Sequence, residues 1–86
     1  MIVTASVKGI LYDAANGQPI SDAIIMITEG PYEHPDIAAQ TNTDGVFYLP
    51  DLKLPGTYTL QINANNNTKT IQATIENKDD ILKIHF

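Results

Sequence analysis

The 86-residue chain contains no cysteine, no tryptophan and no arginine. Without thiols there is no disulfide, no thiol nucleophile and no thiolate metal site, and the redox compartment stays open. Without a guanidinium there is no bidentate clamp for phosphate or carboxylate substrates. The cations are five lysines, Lys8, Lys53, Lys69, Lys78 and Lys83, scattered in sequence against ten acidic residues, for a net charge of −5. Nucleic-acid binding needs clustered cations that release counterions from phosphates, so no nucleic-acid partner is expected. The same shortage argues against an anionic membrane surface, and no apolar run approaches the roughly 20 residues of a spanning helix. Met1 leads into Ile2-Val3-Thr4-Ala5-Ser6-Val7 with no basic stretch and no small-residue cleavage site. No signal peptide is seen, and the expectation is a soluble, cytoplasmic chain by default, with export by a leaderless route left open.

What the sequence does have is turn chemistry between short β-forming runs. Residues 1–86 read as one domain, at a length that buries only about 60 to 65% of its unfolded surface. The first run, Ile2 to Tyr12, is rich in β-branched residues and ends before Asn16-Gly17-Gln18-Pro19. Ala23-Ile24-Ile25-Met26-Ile27-Thr28 follows and is apolar on both alternating faces, as in a strand covered on both sides or meeting a partner. Gly30-Pro31-Tyr32-Glu33-His34-Pro35-Asp36 places two prolines in seven residues, which marks a loop.

A short run near Ile37 to Asn42 reaches Asp44-Gly45, whose positive φ angles suit a tight turn. A fourth strand, Val46 to Leu49, with Phe47 and Leu49 on one side, is expected to stop at Pro50. After Pro55-Gly56, Tyr58, Leu60, Ile62 and Ala64 alternate with Thr57, Thr59, Gln61 and Asn63, the pattern of a strand with one wet face. Asn65-Asn66-Asn67 forms the next turn. Ile71, Ala73 and Ile75 then mark the inward side of a sixth strand, and Leu82, Ile84 and Phe86 that of a seventh. Seven short strands with frequent turn signals predict an all-β, antiparallel two-sheet sandwich.

Several of these residues carry a resemblance. Val7-Lys8-Gly9-Ile10-Leu11-Tyr12-Asp13, Gly17-Gln18-Pro19-Ile20, Thr43-Asp44-Gly45-Val46-Phe47 and Leu54-Pro55-Gly56-Thr57-Tyr58-Thr59-Leu60 look like the carboxypeptidase regulatory-like domain. That family belongs to the transthyretin-like (prealbumin-like) sandwiches and is related to Cna protein B-type domains. The resemblance is close over about the first 64 residues and extends by pattern beyond them. It implies a Greek-key β-sandwich that serves as a non-enzymatic accessory module, with no cofactor. Each shared motif marks a turn or a core position, so the resemblance speaks to fold more than to activity.

Relatives with chemistry can be checked by residue. Hydroxyisourate hydrolases use histidines, an arginine and a C-terminal Tyr-Arg-Gly-Ser motif, whereas this chain ends Lys83-Ile84-His85-Phe86. Some Cna-type repeats join a Lys to an Asn; here Lys8 lies on the first strand, but the last strand, Ile81 to Phe86, contains no Asn or Asp, so no isopeptide is expected. His34 and His85 lack metal-ligand spacing, so no metal site is expected. Asp44 lacks the repeated acids of a calcium loop, Asp79-Asp80 reads as a solvated turn, and Ser6 and Ser21 lack a nucleophile elbow.

The expectation is therefore a non-catalytic structural or protein-interaction module that docks to a larger protein or self-associates weakly. Two features are candidates for contact. One is the loop of Pro31, Tyr32, Glu33, His34 and Pro35, whose prolines cut the entropy lost on binding. The other joins Ile24 and Met26 with the Val46 and Tyr48 face in one association surface. The alternative is a small-ligand or carbohydrate-binding module using the 30–36 loop.

Overall fold

The computed structural model describes residues 3–31 and 38–86. Seven strands follow in order: β1 (Val3–Tyr12), β2 (Ile24–Glu29), β3 (Ala38–Gln40), β4 (Val46–Leu54), β5 (Gly56–Ala64), β6 (Asn67–Ile75) and β7 (Ile81–His85). They form a three-stranded sheet, β4-β1-β7, and a four-stranded sheet, β3-β2-β5-β6. This is the expected all-β sandwich, with one departure from purely antiparallel order. β1 and β7 pair in parallel, Lys8 beside Ile81 and Leu11 beside Ile84. Antiparallel order follows from hairpins, and no hairpin joins these two strands; a parallel neighbour needs only a long connection, which the intervening strands supply.

Alternation builds the core. Val7 and Leu11 of β1, Phe47 and Leu49 of β4, Ile25 and Ile27 of β2, and Tyr58, Leu60 and Ile62 of β5 are buried in one cluster between the sheets. β5 matches its expected wet and dry faces residue by residue, since Thr57 is exposed and Thr59, Gln61 and Asn63 are half-exposed. Gly9 is buried in the centre of β1, opposite Phe47, and a Cβ there would fall on the Phe47 ring. The aromatic ring therefore occupies the volume that glycine leaves free.

The fourth strand does not stop at Pro50. Its register with β1 runs Val7 to Leu49 and then Ala5 to Leu52, so Pro50 and Asp51 stand opposite Ser6 in a bulge. Asp51 takes φ 58° there. The extra residue shifts the alternation by one, which turns Leu52 and Leu54 inward beside Phe47 and Leu49; all four are buried. Proline is tolerated because β4 lies at a sheet edge and at a bulge, the two places where a missing N–H costs no ladder bond. The Leu54–Pro55 peptide is cis, and the chain then crosses to the other sheet.

The turns are local solutions of the expected kind. Asn42 Oδ1 accepts from the N–H groups of Asp44 and Val46, at 2.9 and 3.0 Å, and Gly45 closes the turn at φ 75°. A Cβ on Gly45 would lie 2.7 Å from the Leu11 carbonyl oxygen, so both backbone angle and space require glycine. Asn65 and Asn66, at φ 51° and 64°, make the two-residue turn from β5 to β6, while Asn67 already belongs to the ladder. Thr41 is buried, and its Oγ1 accepts from Ala23 N–H at 2.9 Å, tying the end of β3 to the start of β2.

Candidate interaction surface

The outward positions of β1 are set by the same alternation that buries Val7 and Leu11. Lys8, Ile10 and Tyr12 therefore stand on the outer face of the three-stranded sheet. Register gives each of them lateral neighbours. Lys8 lies between Tyr48 of β4 and Ile81 of β7, and Ile10 lies between Val46 and Lys83. Tyr12 lies beside His85, and the two rings stack with centroids 5.5 Å apart. Tyr48 is 57% exposed and Ile81 49%, and with Val3 they are the large apolar side chains left in solvent among the described residues. Thr4, paired with Lys53, extends the face toward the far end of β4. None of these outward residues is acidic.

The four-stranded sheet presents a different outer face. Across β5 and β6 the outward pairs are Thr57 with Thr74, Thr59 with Gln72, Gln61 with Thr70 and Asn63 with Thr68. The Thr57 and Thr74 hydroxyls are 2.9 Å apart, and Thr68 Oγ1 donates to Asn63 Oδ1. Ile24 and Met26 also point outward here, half-buried, with Gln40 and Asn63 flanking Ile24 and Ala38 and Gln61 flanking Met26.

This arrangement divides the expected joint surface. Ile24 and Met26 lie on one outer face of the sandwich, and Val46 and Tyr48 lie on the other, because β2 and β4 belong to different sheets. Two apolar alternations in sequence carry no information about which sheet each strand joins, and that is where the joint reading fails. Of the loop candidates, Pro31 is exposed, while Tyr32, Glu33, His34 and Pro35 lie outside the described residues.

The remaining candidates find structural roles. Lys8 stands at an outward position of β1, and among the described residues no carboxylate is buried. Asp80 Oδ2 accepts from the N–H groups of Glu76 and Asn77, at 3.2 and 3.0 Å, and so caps the turn before β7. His85 is taken up by Tyr12. Among the described residues no cluster of three or more His, Cys, Asp or Glu is placed to hold a metal ion. No described helix is long and apolar enough to cross a membrane.

Three residues take up roles that their sequence neighbourhood does not announce. Lys83 and His85 join the β1 face only because β7 lies beside β1. The available signal was their alternation with Leu82 and Ile84; the missing one was the strand pairing. Lys69 is opposite Ile62 and so has the inward parity of β6 at that sheet's open edge. Its Nζ donates to the Phe86 carbonyl oxygen at 2.9 Å and lies 4.8 Å from the centre of the Phe86 ring. A charge placed this way discourages another strand from adding to the edge.

Two sheets in this order, closed over one apolar cluster, define a β-sandwich module. A family model for the carboxypeptidase regulatory-like domain matches residues 6–84, and the chain belongs to that family. The domain is in general a non-catalytic regulatory module. No curated protein matches the chain.

Proposed function

We propose that this chain works as a structural or protein-interaction module that docks to a larger protein or to a second copy of itself. The observation that carries this reading is the row Tyr48, Lys8, Ile81, in which two exposed large apolar side chains flank a lysine on a regular sheet face. Apolar groups of this size left in solvent on a rigid face favour a partner that removes them from water. Strand positions hold them in a fixed spacing, so little side-chain or backbone order has to be created on docking.

Cross-linking of the tagged chain in extracts of its native host, followed by mass spectrometry, tests this. The expected result is a reproducible cross-link to one protein or to a second copy. Light scattering over a concentration series separates those two cases. A chain that gives neither, yet binds a glycan or metabolite saturably, would overturn the reading.

A further inference from the structure

We infer that the outer face of the three-stranded sheet is a docking surface for an extended protein segment carrying carboxylates at alternate positions. The inference rests on the interaction-module reading and names the partner's chemistry. The chain has twice as many acidic as basic residues. Even so, the outward positions of β1, β7 and the part of β4 before its bulge hold Lys8, Lys83 and His85 with no Asp or Glu among them; beyond these rows lie exposed Asp51, in the bulge opposite Ser6, and then Lys53 beside Thr4. An acidic protein has thus gathered three of its five lysines on one face, together with its exposed Tyr48 and Ile81.

The spacing selects the occupant. Lys8 pairs laterally with Ile81, and Lys83 lies two residues further along β7. One inter-strand step of about 4.8 Å and two residues of about 3.3 Å each place the two backbone positions about 8 Å apart. Side chains at i and i+2 of an extended segment emerge on one side about 6.6 Å apart, close to that separation. Two such carboxylates can meet both ammonium groups, which lie within one Debye length of each other at about 0.1 M salt and so act together. Continued past Lys8, the line from Lys83 runs toward β4 between Tyr48 and the bulge, so an apolar residue two positions beyond the acidic pair on that side comes beside Tyr48.

The test uses the whole chain and an acetylated, amidated heptapeptide, Leu-Ser-Glu-Ser-Glu-Ser-Leu, followed by amide NMR. Saturable shifts are expected at Lys8, Ile10, Tyr48, Ile81 and Lys83, weakening as salt rises. In the K8E/K83E variant the apparent affinity should fall about tenfold, the scale of two surface charge pairs. K8Q/K83Q should give a smaller loss in the same direction, which covers the case that charge reversal disturbs the fold. Equal binding of the peptide with lysine in place of both glutamates would overturn the inference, as would the absence of saturable shifts. Tighter binding of an eight-nucleotide oligothymidine to the same residues would overturn the assignment to a protein segment. Peptide shifts confined to the β5–β6 face would overturn the location and leave the interaction module standing. A chain that cross-links to no protein at all would remove both.

Discussion

On the outer face of the four-stranded sheet, polar side chains answer one another across the ladder, Thr57 with Thr74 and Asn63 with Thr68. On the three-stranded sheet, the side chains beside Lys8 are Tyr48 and Ile81, neither of which can accept its charge as a carboxylate would. Cross-strand pairs of the first kind contribute about 0.2 to 1 kcal/mol each and leave little for a partner to improve. The second face keeps its apolar area and its ammonium groups in water, where their interactions with other molecules remain to be made. The two faces share one core, so substitutions can be sorted by which sheet they strike.

The largest effect is expected from deleting Asp51. Loss of the bulge residue would turn Leu52 and Leu54 to the outer face of the three-stranded sheet, and each displaced leucine costs about 2 to 5 kcal/mol. A chain of this length has about 4 to 13 kcal/mol in total, so the two together remove most of the margin, and circular dichroism should show the cooperative melt lost or shifted far below that of the unaltered chain. Phe47→Ala comes next, at about 3 to 5 kcal/mol, because Phe47 is 1% exposed and also fills the space above Gly9. Urea denaturation that leaves the midpoint unchanged would show that this ring does not join the two layers.

Gly9→Ala should cost about 1 to 3 kcal/mol by driving a methyl into that ring, and the loss should shrink in a Phe47→Leu background. A double-mutant cycle measures the coupling. Thr41→Val strikes the other sheet. It strips Ala23 N–H of a buried acceptor, a loss of about 1 to 3 kcal/mol, with faster hydrogen exchange at Ala23 as the local signature.

The smallest effects sharpen the contrast between the faces. Tyr48→Ser and Gln72→Ser should each change stability by no more than about 0.5 kcal/mol, as exposed positions do. They should differ in association. Loss of Tyr48 should lower retention on a hydrophobic-interaction column, and loss of Gln72 should leave it unchanged.

Much of the sandwich was legible in the chain because its information is local. Period-two alternation marks Tyr58, Leu60, Ile62 and Ala64 as inward, and Asn42-Thr43-Asp44-Gly45 writes its own turn. The bulge was hidden because Pro50 is an ordinary stop signal, and only the burial of Leu52 and Leu54 reveals that pairing continues past it. The candidate surface was legible in fragments. Tyr48 stood out as an outward aromatic, but its neighbours Lys8 and Ile81 come from opposite ends of the sequence, and no pattern within a strand reports which strand lies beside it. The assignment of Ile24 and Met26 to the same surface failed for that reason.

The parallel union of β1 with β7 also bears on how the protein comes into being. Synthesis proceeds at about 5 to 20 residues per second, so β1 leaves the ribosome seconds before the strand that must cover its second edge. Through that interval β4 can occupy one side of β1, and the other side remains an open template. Contacts spanning so much of the chain make such topologies slow to complete. Until β7 pairs, that flank is an unpaired strand edge to which another chain can add.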